Sequence, residues 1–114
     1  MSVTVSDGPA IVAGYEYTLQ LEADSPVFPA GCILAAHVRG KVSDSAVIAT
    51  LTTGNGGLAR ISDTTVEIVI PPAATANLPP GSVVMDMVRT DLDPERHLSF
   101  TLEIPVIRPV TRGL

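Results

Sequence analysis

The 114-residue chain is predicted to be a small all-β domain, an antiparallel sandwich of seven or eight short strands. Three observations predict it. Runs in which apolar and polar residues alternate recur at short intervals, as half-buried strands require. Gly, Pro, Asp and Asn interrupt those runs, leaving little room for the dozen-residue crossovers that parallel strands need. The chain is 46% hydrophobic, yet it has no Trp and only two Phe and two Tyr. Its core must therefore be built mainly from Val, Ile, Leu and Ala, and branching at Cβ suits Val and Ile to a pleated backbone. This length predicts one domain, 1–114, around one hydrophobic core.

Val3 and Val5 predict a first strand ahead of a turn at Asp7, Gly8 and Pro9. The clearest periodic run follows, with Tyr15, Tyr17, Leu19 and Leu21 alternating with Glu16, Thr18, Gln20 and Glu22. It predicts a half-buried strand over 15–21 with both tyrosines facing the core. Asp24, Ser25, Pro26, Pro29 and Gly31 end it in a turn-rich loop. A strand over 33–39 should point Leu34, Ala36 and Val38 inward, and a turn over 40–44 leads to a partner over 45–52 with Val47, Ala49 and Leu51 inward. The glycine-rich 53–57 segment reads as a hairpin loop before a short strand over 58–61.

Val66, Ile68 and Ile70 alternate with Thr65, Glu67 and Val69 until Pro71 and Pro72 stop the pairing by withholding amide donors. Residues 73–78 predict a single helical turn that depends on tertiary support, closed by Pro79, Pro80 and Gly81. A strand over 83–90 is interrupted by Asp86, and 91–95 is a natural turn. Leu98, Phe100, Leu102 and Ile104 then alternate with His97, Ser99, Thr101 and Glu103, and Pro105 assigns the far end of this strand to an edge or bulge. Strands so closely spaced suggest hairpins and a meander, within an immunoglobulin-like sandwich or a partly closed barrel.

Charge narrows the function classes. Seven Lys and Arg face twelve Asp and Glu, a formal net charge of −5, and no basic cluster is present to follow a phosphate backbone, so direct nucleic-acid binding is not expected. Arg108 and Arg112 lend the C-terminal end a basic character suited to solvent or protein contacts. The lone Cys32 has no intrachain partner and fits a reducing compartment. Residues 1–7 carry neither the basic nor the apolar region of a signal peptide, and no apolar run reaches membrane length. A soluble chain made in the cytoplasm, without membrane insertion, is the expectation.

Catalytic and ligand motifs are not apparent. The Gly54-Asn-Gly-Gly57 loop lacks the spacing and the Lys-Ser/Thr of a phosphate loop. His37 and His97 are the two imidazoles, and only with Cys32 would they supply the three ligands of a catalytic zinc site. Asp86, Asp91, Asp93 and Glu95 form the densest acidic segment without the glycine and terminal glutamate of a calcium loop, so a solvated turn is expected. None of Ser25, Ser43, Ser45, Ser62, Ser82 or Ser99 lies in a Gly-x-Ser-x-Gly frame. The expectation is a non-enzymatic protein with no catalytic residue, cofactor or metal. The alternatives are a small-molecule or carbohydrate-binding module, and a minimal metal enzyme built on His37, His97 and Cys32.

Several segments together resemble a family. They are Tyr15-Glu-Tyr-Thr-Leu-Gln-Leu21, the central Gly-Gly57, Val66-Glu-Ile-Val-Ile70 with Thr75 and Leu78 after it, Pro80-Gly81-Ser-Val-Val-Met-Asp86, and the closing Ile104-Pro-Val-Ile-Arg-Pro-Val-Thr-Arg112. In order and outline the chain is similar to small tailed-phage or prophage virion proteins, in particular the N-terminal β-domain of lactococcal phage baseplate upper proteins. This chain has Met85 where that pattern often has Tyr. The resemblance implies a structural, attachment or adaptor role in a virion, reached after synthesis in the host cytoplasm. Partners would be copies of itself or other phage structural proteins. Tyr15, Tyr17, Pro80, Gly81 and Asp86 would define strand and turn geometry.

Overall fold

The computed structural model describes residues 3–6 and 8–111. Nine strands and one helical turn follow one another in these residues: β1 (Val3–Ser6), β2 (Ile11–Val12), β3 (Tyr17–Ala23), β4 (Leu34–Arg39), β5 (Ala49–Thr52), β6 (Leu58–Arg60), β7 (Thr65–Ile70), α1 (Pro72–Thr75), β8 (Gly81–Arg89) and β9 (Arg96–Ile107). They form two sheets, one in the order β1-β3-β7-β6 and the other β2-β9-β8-β4-β5. All pairings are antiparallel except β2 with β9. The fold is thus mostly antiparallel, all-β and sandwich-like.

The alternating runs bury the faces that their period requires. β3 alternates between buried Tyr17, Leu19, Leu21 and Ala23 and outward Thr18, Gln20 and Glu22. β7 buries Val66, Ile68 and Ile70, and β4 buries Leu34, Ala36 and Val38. Their inner faces merge into one hydrophobic cluster that also takes in Phe28, Met85, Met87 and Val106. Burying each large side chain of this kind contributes about 1.5–3 kcal/mol before entropy is counted.

Two expected core residues lie outside that cluster, for reasons set by pairing. Tyr15 is 49% exposed because β3 begins only at Tyr17, whose partner Ile70 is the last residue of β7 before Pro71 and Pro72. Val47 is 39% exposed because β5 begins at Ala49, opposite Val38.

The expected meander is replaced by sheet crossings. β4–β5, β6–β7 and β8–β9 are hairpins, but the links from β3 to β4, β5 to β6 and β7 to β8 each pass from one sheet to the other. The 53–57 segment is therefore an inter-sheet connection, not a hairpin loop. Asn55 organises it: its Oδ1 accepts from the amides of Thr52 and Gly57, both at 2.9 Å, and its Nδ2 donates to the Thr50 carbonyl at 3.0 Å.

The first strand is also divided between the sheets. β1 pairs with β3, and beyond Gly8, in the left-handed region at φ 67°, the chain reaches β2 and runs parallel to Val106 and Ile107 of β9. A two-residue parallel strand has no local periodic signal, so the sequence pattern predicts only seven or eight strands. β9 runs through Pro105 instead of ending there. β2 pairs only at Val106 and Ile107, so Pro105 still lies where one side of β9 has no neighbouring strand.

The helical turn starts one residue earlier than the pattern suggests, at Pro72. Thr75 is fully buried and ties it to the β2–β3 link: its Oγ1 donates to the Tyr15 carbonyl at 2.7 Å and accepts from the Gly14 amide at 3.2 Å. Replacing Thr75 by Val keeps the shape and strands both groups. Thr75→Val is expected to lose about 1–3 kcal/mol in urea unfolding, whereas Thr75→Ser should lose less because it keeps the hydroxyl.

Candidate functional site

Of the polar residues weighed for chemistry, the outward face of the five-stranded sheet gathers His37, Asp86, His97 and Ser99. In β8, Val83, Met85 and Met87 point into the core, which turns Val84 and Asp86 outward. A bulge between Asp86 and Val88 shifts the pairing with β9. In β4, inward Leu34, Ala36 and Val38 leave His37 and Arg39 outward. In β9, the same alternation leaves His97, Ser99, Thr101 and Glu103 exposed.

His97 is held at both ring nitrogens. The Ser99 amide, on a residue at φ 64°, donates to Nδ1 at 2.8 Å. The hydrogen-bond network therefore assigns the proton to Nε2, which donates to Asp86 Oδ2 at 2.7 Å. A serine-hydrolase arrangement needs one imidazole nitrogen on the carboxylate and the other facing a hydroxyl. Here the second nitrogen is taken by a backbone amide, so the Asp86–His97 pair orients a side chain and is not poised as a base.

His37 lies on the same face, where its Nδ1 accepts from Arg39 Nη2 at 3.4 Å. Arg39 Nη1 in turn donates to the carbonyls of Asp44 at 3.1 Å and Ser45 at 2.8 Å. Those bonds fix the guanidinium against the middle of the β4–β5 loop without neutralising it.

Cys32 belongs to the opposite side of this sheet. Its side chain is buried with the core, and burial pushes its thiol pKa up. The sheet thus separates it from the outward His37 and His97, and the zinc set considered from sequence does not converge. Among the described residues no group of three or more His, Cys, Asp or Glu is arranged to hold a metal ion.

The acidic segment is dispersed in the same way. Asp86 is engaged by His97, and Asp91 receives Arg89 in a forked contact, Nε to Oδ1 at 3.1 Å and Nη2 to Oδ2 at 2.6 Å, with the Ile33 amide also on Oδ1 at 3.3 Å. Asp93 and Glu95 lie exposed in the β8–β9 turn. The Arg89 contact holds the Asp91 carboxyl at about 2, below its ordinary 3.8. A carboxyl lowered by folding stabilises the protein above its unfolded value, and that contribution fades as pH falls from 3.8 toward about 2. Asp91→Asn is therefore expected to flatten the acid limb of a urea-midpoint profile in that window. An unchanged acid limb would show that this pair does not govern it.

A second surface feature runs along the open seam of the sandwich. A groove of about 310 Å³ lies between β1 and β9, with Val5, Leu19, Leu102, Ile104 and Pro105 in its wall. Tyr17 also contributes, but it is 4% exposed and its hydroxyl donates to the Gly8 carbonyl at 2.6 Å. Tyr15 and Tyr17 therefore do not form an exposed aromatic pair of the kind a carbohydrate platform uses.

Among the described residues no helix is long and apolar enough to cross a membrane. Pro80 and Gly81, named by the family resemblance, stand where the chain enters β8, Gly81 at φ 120°. No protein-family model matches this chain, and no curated protein matches it in sequence.

Proposed function

We propose that this chain is a non-enzymatic structural or adaptor protein of a tailed phage or prophage particle that acts through protein–protein contacts. It would be made in the host cytoplasm and incorporated into the virion on assembly. The observation that carries the reading is the outward face of the five-stranded sheet, on which polar side chains surround half-buried Val84 and Val88 and only a shallow hollow of about 100 Å³ lies between Arg39, Val42, Val84 and Asp86. Its potentially reactive groups are tied to one another, His97 to Asp86 and His37 to Arg39. Such a face suits a contact surface better than a cleft. The resemblance of 15–21, 66–70 and 80–86 to phage baseplate β-domains supplies the setting.

The finer architecture belongs to the same proposal. The order β1-β3-β7-β6 follows the A-B-E-D sheet of an immunoglobulin fold, and β9-β8-β4-β5 follows G-F-C-C′, with β2 as a short extra strand beside G. This favours the immunoglobulin-like reading over a partly closed barrel. The core does so without the Trp and inter-sheet disulfide of antibody domains, since the chain has no Trp and one Cys.

Density-gradient purification of particles from the producing strain, followed by mass spectrometry, tests the role. Peptides of this chain should band with the capsid and tail proteins at a constant stoichiometry. Their presence in the lysate but absence from intact particles would reject a virion component.

A further inference from the structure

We propose that the outward face of the five-stranded sheet is a self-complementary surface on which two copies of this chain pack, with a two-fold axis running along β8. This deepens the contact-module reading and rests on it only for the choice of surface. The carrying observation is one cross-strand row. Arg39 of β4 is paired with Val84 of β8, and Val84 is paired with Glu103 of β9. All three point outward, so a cation and an anion stand on either side of a half-buried valine, each one strand spacing of about 4.8 Å away.

A half-turn about an axis parallel to β8 exchanges the two flanks. It lays Arg39 of one copy over Glu103 of the other, repeats that pair on the far side, and sets the two Val84 side chains together at the centre. In a second row Ala35 pairs with Val88, and Val88 with the polar His97, so the half-turn sets the two Val88 side chains together and lays Ala35 of one copy over His97 of the other. Asp86 lies on β8 between Val84 and Val88, so the same half-turn brings the two Asp86 carboxylates toward each other at the axis, each hydrogen-bonded to its own His97. This like-charge pair opposes association and keeps it weak.

The charges needed for the exchange are available. Arg39 donates to backbone carbonyls and to His37, none of which cancels its charge, and Glu103 takes part in no ion pair among the described residues. Two sheets packed face to face lie about 10 Å apart, which these side chains can span. Opposite charges on the two flanks also select this orientation, because a half-turn about an axis across the strands would leave Arg39 without Glu103 opposite it. Association through one sheet face, with a like-charge pair at its axis, is expected to be reversible and concentration-dependent.

Sedimentation velocity over a concentration series tests the surface. The wild-type chain is expected to dimerise reversibly, with Arg39→Glu and Glu103→Arg each weakening association about tenfold or more. An equimolar mixture of the two variants should regain it, because one copy then carries acid on both flanks and the other base on both. Circular dichroism checks each variant's fold. If Arg39→Glu is unfolded through loss of its carbonyl contacts, Glu103→Arg alone and Val84→Glu, which adds two further acids to the Asp86 carboxylates at the axis, must each weaken the dimer about tenfold or more. A wild-type monomer up to about 1 mM, a dimer indifferent to these substitutions, or folded variants that fail to associate when mixed would overturn the surface. A monomer that still bands with particles would overturn this interface and leave the virion role standing.

Discussion

Phe28→Ala is expected to cost about 3–5 kcal/mol of unfolding free energy, the largest loss from any single substitution considered for this protein. Phe28 heads the fully buried side chains by volume, although it belongs to the loop between β3 and β4 and to no strand. Its backbone is fixed from the other side of the sandwich edge. The Phe28 amide donates to the Asp63 carbonyl at 2.9 Å, and its carbonyl accepts from Arg60 Nε at 2.7 Å. Arg60 is itself paired with the Asp63 carboxylate.

With the loop anchored in this way, the surrounding core cannot collapse readily into the space that alanine leaves, and the cavity term is added to the lost burial. A domain of this size has about 5–15 kcal/mol to lose, so the variant should melt about 15–25 °C lower. Phe28→Leu, which retains most of the volume, should lose far less. Urea unfolding of the three proteins at constant slope decides the matter. A loss below about 1 kcal/mol for alanine would mean that the loop is not anchored as described.

Gly8→Ala should destabilise by about 2–4 kcal/mol, because two separate penalties coincide there. Gly8 has φ 67°, and a Cβ at this position would come within 2.2 Å of the Thr18 carbonyl oxygen and 2.9 Å of Tyr17 Cε1. The first obstacle is backbone inside the β3–β7 ladder and has nowhere to go. Relief would require pulling the β1–β2 link off β3, which breaks the Tyr17 hydroxyl bond to the Gly8 carbonyl.

Gly14 supplies the control, since it has φ 90° but no atom lies within 4 Å of the point where a Cβ would stand. Gly14→Ala should therefore lose only the conformational part, about 1 kcal/mol. Equal losses at the two positions would refute the close-approach explanation. The same burial that surrounds Gly8 pushes the Tyr17 hydroxyl up to about 12. Its protonated form stabilises the fold below its ordinary 10, a contribution lost as pH rises from there toward about 12.

Much of the secondary structure was legible because a half-buried strand repeats every two residues, as 17–23, 34–38, 66–70 and 98–104 do. Where legibility failed, the missing information lay in another strand. The alternation that includes Tyr15 continues beyond the point where β3 has a partner, since β7 ends at Ile70. Val47 alternates correctly with Ala49, but the pairing of β5 with β4 starts at Ala49. β2 holds two residues and exists only because β9 lies beside it.

The candidate site was less legible than the fold. His37, His97, Cys32 and the acidic residues could be named from sequence, but their mutual placement could not. Cys32 lies two residues before β4, and carrying the inward parity of Leu34, Ala36 and Val38 back to it already sets it opposite the outward His37. By contrast, Arg39, Val84 and Glu103 are far apart in sequence and carry no motif. They become neighbours only through the strand order β9-β8-β4.

By itself the sequence determined the all-β class, the inward faces of the main strands and the stop at Pro71, because periodicity and proline chemistry act within a few residues. Tertiary structure alone decided which strands are neighbours, where the first strand changes sheets and which charges share a row. Those outcomes depend on long-range backbone pairing, in which a partner's end or a crossing between sheets overrides the local pattern.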